Sequence, residues 1–148
     1  MERTAACSCG QLSVVVDGDP EFHGLCSCIE CQRASGSAFT YAGYWPKTAV
    51  KKTTGETTSW RRITDTGRWF DTYFCPTCGS AVYWYGEFAP DMINIAIGNF
   101  ADPSFPPPTY AVWNMHKHPW VEVPESCEIK HETQPEEDIE GDLTSETS

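Results

Sequence analysis

Residues 26–31 read CSCIEC, three cysteines in six positions: Cys26, Cys28 and Cys31. A closed zinc site takes four ligands, so the stretch is one short. Either a distant side chain completes it, or the fourth position belongs to water or a substrate. The choice separates a zinc-stapled structural domain from one that keeps a reactive metal.

The other cysteines narrow the question. The chain has eight, at positions 7, 9, 26, 28, 31, 75, 78 and 127, and seven of them fall in tight clusters. Thiols one or two residues apart are poorly placed to bridge each other, but they suit a metal held at about 2.3 Å from each sulfur. The N-terminal MERTAACSCG has no apolar stretch of the kind that directs export, so a disulfide framework is not expected. CPTCG (75–79) reads as a zinc knuckle, and CSCG (7–10) offers a similar half-site with the same trailing glycine. Joined, Cys7, Cys9, Cys75 and Cys78 make a closed structural site. Spacing alone equally permits Cys7 and Cys9 to pair with Cys26 and Cys28. For CSCIEC, the fourth ligand is water, substrate, Cys127, or one of His23, His116, His118 and His131.

Composition bounds the rest. A chain of 148 residues, 40% hydrophobic and 13% aromatic, suits one packed domain. No apolar run is long enough to span a membrane, and a cytoplasmic protein is expected. The net charge of −11 is concentrated at the C-terminus, where ETQPEEDIEGDLTSETS (132–148) carries seven acidic residues and no Lys or Arg. That segment is expected to be a disordered acidic tail behind a domain spanning 1–131. The body keeps a charge of −4, and its basic pairs are Lys51-Lys52 and Arg61-Arg62. Phosphate neutralisation on that scale is too weak for nucleic-acid binding, so no nucleic-acid partner is expected.

Short runs rich in β-branched and aromatic residues, mostly bounded by turn residues, predict strands at 12–17, 39–45, 58–64, 69–74, 81–85 and 92–98. Cys28 to Ser35 is predicted as a short helical turn stopped by Gly36, and PSFPPPTY (103–110) as an extended connector. Tyr41, Tyr44, Trp45, Trp113 and Trp120 are expected mostly in the core. Cys127 is expected to be a free thiol.

The order of CSCGQLSVVVDG, CSCIECQRASGSAF, FCPTCGSAVYW, IAIGNF and AVWNMHKHPW along residues 5–125 resembles the glutathione-dependent formaldehyde-activating enzyme family, which also takes in centromere protein V. The resemblance implies a mainly β fold, with several twisted antiparallel sheets gathered around zinc. It implies two zinc ions per chain: a structural one on Cys7, Cys9, Cys75 and Cys78, and a catalytic one on Cys26, Cys28 and Cys31 with an open position. Two departures bear on substrate contacts. Gln32 intervenes before Arg33, where the family often has arginine directly after the third cysteine, and histidines flank Lys117.

Three thiolates outweigh the charge of zinc, so such a metal is a weaker Lewis acid than one held by neutral imidazoles and less suited to generating hydroxide. It favours a thiol as fourth ligand. That matches carbon–sulfur lyase-like chemistry on a thiol–aldehyde adduct such as S-hydroxymethylglutathione, formed from formaldehyde and glutathione. Glu30 is the candidate for proton transfer, and Arg33 and Lys117 are candidates for substrate contact. His116 and His118 share a face if their segment is a strand. The competing reading is a non-catalytic, zinc-stabilised binding module with both metal sites structural.

Overall fold

The computed structural model describes residues 1–64 and 67–133; most of the acidic tail anticipated at 132–148 lies outside them. Eleven strands and one α-helix occur among the described residues, so the protein is mainly β. In chain order they are β1 (Glu2–Ala6), β2 (Ser13–Asp17), β3 (Phe22–Cys26), α1 (Ile29–Ser35), β4 (Thr40–Pro46), β5 (Val50–Thr54), β6 (Thr58–Ile63), β7 (Trp69–Phe74), β8 (Ala81–Gly86), β9 (Met92–Ala96), β10 (Tyr110–Val112) and β11 (Ile129–Lys130). The described residues form two compact units, one of residues 1–21 and 43–103, the other of 22–42 and 104–133.

In the first unit, β1, β2 and β5 form an antiparallel sheet in the order β1-β2-β5. The strands β9, β8, β7 and β6 form an antiparallel run in that order. Alternation explains β2: Val14 and Val16 are fully buried while Ser13 and Val15 are not. β9 is buried at Ile93, Asn94 and Ile95 in succession, the pattern of a strand covered on both faces. Trp45, Leu12, Ile93, Ile95 and Val82 are the large buried groups of this core. The Trp45 ring packs 5.5 Å from that of Phe100. Its indole N–H donates to the Gly18 carbonyl at 3.0 Å, which satisfies the one polar atom the ring buries.

The second unit departs from the antiparallel expectation. β10 pairs parallel with β3, Val112 lying opposite Cys26, and parallel with β11. A tight turn would force antiparallel pairing, but β3 and β10 are far apart in sequence and no turn constrains them. Two strands running the same way also leave the sheet at the same end. Here Leu25, Ala111 and Cys127 form the buried cluster, with Phe39, Tyr41 and Val123 packed against it.

The predicted strands at 12–17, 39–45, 58–64, 69–74 and 81–85 match β2, β4, β6, β7 and β8, and 92–98 is β9 running into a 3-10 turn at Ile97–Phe100. Among the aromatics expected in the core, Tyr44 and Trp45 are buried, whereas Trp120 is 72% exposed. It follows Pro119 in a segment without regular structure, so no sheet face covers it. The segment of His116 and His118 is not a strand: a 3-10 turn spans Asn114–His116, and the two rings do not alternate as strand neighbours would.

Candidate metal centres

Each two-cysteine cluster of the first unit lies in a hairpin turn. Cys7 and Cys9 lie between β1 and β2, Cys75 and Cys78 between β7 and β8. Glycine closes both turns: Gly10 has φ 85° and Gly79 φ 79°, and their amides donate to the carbonyls of Cys7 and Cys75 at 3.0 and 2.8 Å. A Cβ at either position would touch nothing, so the requirement for glycine is conformational. The turns bring the four Sγ atoms within 4.8 Å of one another.

The sulfur geometry tests the fit to a metal. Sγ of Cys9 lies 3.7 Å from that of Cys7 and 3.8 Å from that of Cys75. A tetrahedron with metal–sulfur bonds of about 2.3 Å has edges of roughly 3.8 Å. A disulfide would hold two sulfurs at about 2.05 Å, and all eight cysteines are free thiols. Donors converge on the same sulfurs. Leu12 N–H reaches Cys7 at 3.3 Å, and Cys9 N–H reaches Cys78 at 3.4 Å. The amides of Thr77 and Cys78 and the side chain of Gln11 reach Cys75 at 3.3, 3.4 and 3.1 Å. The Ser80 hydroxyl lies 3.3 Å from Cys78.

Such donors stabilise thiolate over thiol. Hydrogen bonds from the Ser80 hydroxyl and amide, and from the Cys9 amide, hold Cys78 down at about 5. Burial pushes Cys75 up, but the amides of Cys78 and Thr77 and the Gln11 side chain outweigh it, and the net shift is downward. Gln11 and Ser80 were not singled out from sequence. Each follows the glycine of a cysteine turn, CSCGQ and CPTCGS, and that shared position was the available signal.

The second unit holds the other cluster. Cys26 ends β3, Cys28 caps α1 and Cys31 lies in its first turn, with the three Sγ atoms again within 4.8 Å of one another. The anticipated helical turn is present: Cys28 Sγ accepts the Cys31 amide at 3.2 Å, and Gly36, at φ 64°, ends the helix with its amide on the Gln32 carbonyl. The cluster concentrates negative charge on Cys28. Hydrogen bonds from the Cys26 and Cys31 thiols, against the opposing effect of burial, and from the amides of Cys31 and Glu30 pull it down to about 2. Cys26 is raised well above the ordinary thiol range by its bonds to Cys28 and Cys31 and by burial. For Cys31 the bond from Cys26 pulls down, but the bond to Cys28, burial and the Cys28 charge outweigh it and leave it at about 12. A metal entering this cluster displaces protons from Cys26 and Cys31.

Among the described residues, no histidine and no further cysteine joins this cluster. Cys127 is 1% exposed in the Leu25–Ala111 cluster, its thiol donating to the Pro108 carbonyl at 3.5 Å. His23 Nε2 lies 2.9 Å from the Pro107 carbonyl. Of the candidate contact residues, Arg33 closely follows the cluster in sequence and Lys117 does not, and both are engaged. Arg33 pairs with Glu30 at 3.4 Å in an exposed i,i+3 contact, and Lys117 Nζ donates to the Val121 carbonyl at 3.1 Å. Gln32 was noted only as a departure, yet its amide nitrogen bonds the Ser27 carbonyl at 2.8 Å and the His116 carbonyl at 3.0 Å. Trp113, φ 59° and ψ 38°, starts the segment in a left-handed conformation that L side chains rarely adopt, and its ring stacks 5.5 Å from that of His116.

A family model described as glutathione-dependent formaldehyde-activating enzyme matches residues 2–116, a span holding all seven clustered cysteines. The chain belongs to this family. The crystal structure of a Rhodobacter sphaeroides protein shares the fold, with a TM-score of 0.53 at 16% identity, covering 86% of this chain and 98% of that one. No curated protein matches the chain. Both cysteine clusters of this family member can hold a metal ion, and among the described residues no helix is long and apolar enough to cross a membrane.

Proposed function

We propose that the protein is a zinc-dependent, carbon–sulfur lyase-like enzyme that makes and breaks thiol–aldehyde adducts, S-hydroxymethylglutathione being the model substrate, in the cytoplasm. The observation that carries this reading is the contrast between the two clusters. Four thiols at tetrahedral spacing close one site, while among the described residues only three thiols gather at the other. Soft sulfur donors in both suit zinc.

In this reading Cys7, Cys9, Cys75 and Cys78 hold the structural ion and Cys26, Cys28 and Cys31 the catalytic one. Zinc at the three-cysteine site would supply a position for a thiol and keep its sulfur as thiolate. The chain's own residues do the rest. Cys28, the most acidic of the three, anchors the turn through the bond its sulfur accepts from Cys31. Glu30, in the same turn, transfers the proton of the substrate hydroxyl, and Arg33 and Lys117 bring cationic groups to the carboxylates of a glutathione-like thiol. The net reaction is balanced: cleavage takes the hydroxyl proton, forms the carbonyl and sends the carbon–sulfur bonding pair to sulfur.

The test is turnover of the formaldehyde–glutathione adduct by zinc-loaded protein, measured above the spontaneous equilibration of the two reactants. Catalysis abolished by Cys28→Ser in a folded protein supports the reading. No acceleration by the wild type would sink it and favour the binding module.

A further inference from the structure

The two departures from the family pattern, Gln32 and the histidine beside Lys117, meet in the fold. Parallel pairing of β3 with β10 sends the cysteine turn and the segment after Val112 off the same end of the sheet, and Ser27 N–H bonds the Val112 carbonyl at 3.1 Å. Gln32 spans the two. Its Nε2 lies 2.8 Å from the Ser27 carbonyl and 3.0 Å from that of His116, and its Oε1 lies 2.9 Å from His118 Nε2.

These contacts fix protons. A backbone carbonyl only accepts, so the end of the Gln32 amide that faces two carbonyls is the NH₂ group. The other end, Oε1, is an acceptor and requires a donor from His118. Nε2 of His118 therefore carries hydrogen, and the neutral ring keeps its lone pair on Nδ1. His118 is exposed, and among the described residues no protein donor meets Nδ1. Its ring packs edge-on against Trp120, centroids 6.0 Å apart, and Trp120 is itself 72% exposed. One side chain thus links the residue after Cys31 to an imidazole whose accepting nitrogen is open.

We infer that Gln32 is a positioning residue that locks His118 as the Nε2–H tautomer, and that His118 Nδ1 accepts a hydrogen bond from the hydroxyl of a hydroxyalkyl thioether bound at the three-cysteine site, orienting that hydroxyl before its proton passes to Glu30. The second clause rests on the proposed function; the first does not. His118 thereby selects adducts that carry a hydroxyl next to sulfur over simple thioethers, because an analogue without the hydroxyl leaves Nδ1 unsatisfied.

The test uses zinc-loaded full-length protein with nitrogen-labelled histidine. Long-range proton–nitrogen correlation at a pH where imidazoles are neutral is expected to show His118 as Nε2–H in the wild type and as a tautomer mixture in Gln32→Leu. A wild-type Nδ1–H signal, or a pattern unchanged by Gln32→Leu, overturns the lock. Two isosteres then separate contact from scaffolding. His118→Gln keeps a donor for Gln32 but loses the acceptor at the δ position, and kcat/KM for the adduct is expected to fall about tenfold, the worth of one hydrogen bond. His118→Asn keeps a δ acceptor but gives up the donor to Gln32, and its loss is expected to be smaller than that of His118→Gln. The reverse order, or equal losses, overturns the contact. Absence of wild-type turnover refutes the functional reading and the hydroxyl contact together, while the tautomer result is decided independently.

Discussion

Serine in place of a cysteine removes a thiolate at nearly constant size, and its effect should differ between the two clusters. In the four-cysteine site, Cys75 joins two hairpin turns that the sequence separates widely, and its sulfur collects three N–H donors. Structural zinc contributes about 10–16 kcal/mol to small zinc-folded peptides, and a domain has about 5–15 kcal/mol in all. Losing one of four ligands, a quarter of the metal's contribution, therefore removes roughly 3 kcal/mol, a fall in Tm of about 6–12 °C for a chain of this size. Cys28→Ser is different. Serine is a favoured N-cap and can accept the Cys31 amide as the thiol does, so α1 keeps its start and the expected change is within about 1 kcal/mol, a few degrees. Thermal unfolding by circular dichroism, with metal content measured on the same samples, is the assay. Chelation of the wild type, which removes the whole contribution of the metal, should lower Tm further than Cys75→Ser does. Equal shifts for the two variants, or a Cys75→Ser protein as stable as wild type, would refute the division into structural and reactive sites.

Other expectations follow from the same geometry. Gly55 has φ 102°, and a Cβ there would lie 1.9 Å from the Gln11 carbonyl oxygen. Gly55→Ala should cost at least the roughly 1–3 kcal/mol of the strained conformation and, because Gln11 bonds both Glu56 and Cys75, should weaken metal retention, checked by competition with a chelator. Arg61 holds Asp71 below the usual carboxylate range through a two-pronged contact at 2.7 and 3.0 Å. The sign follows: the pair's contribution is present above the unfolded carboxyl pKa and lost as pH falls through the lower folded one. Urea midpoints measured against pH should show Asp71→Asn approaching wild type only in acid. Cys127→Ala, inside the Leu25–Ala111 cluster, should leave metal content at the wild-type value; loss of one ion would make Cys127 a ligand after all.

Most of this fold was legible because local chemistry decides it. Six strands carry β-branched or aromatic runs, and the helix between Cys28 and Gly36 has its cap and its stop written in CSCIECQRASG. Of the strands that went unread, β5, VKKTT, carries the β-branched signature but is mostly exposed; others lack it. β1 is ERTAA, β3 is FHGLC and β10 is three residues long; pairing with distant partners makes them strands. β3 also needs Gly24, where a Cβ would lie 2.5 Å from Tyr110, a constraint visible only once β10 is alongside. The clusters were legible as places able to hold a metal because spacing within each is local, whereas the partition of the clusters rested on resemblance until the sulfur positions were known. The Gln32–His118 contact lay beyond reach of the sequence, since it depends on a parallel pairing where antiparallel sheets were expected.

The most direct test of the central claim is cobalt substitution of both sites followed by titration with glutathione, watching the thiolate-to-metal charge-transfer band. Two metals per chain, with a band that changes as glutathione adds in wild type and not in Cys28→Ser, is the predicted result. Two metals with a spectrum indifferent to thiols, or a single metal per chain, would contradict an open thiol-binding site at Cys26, Cys28 and Cys31.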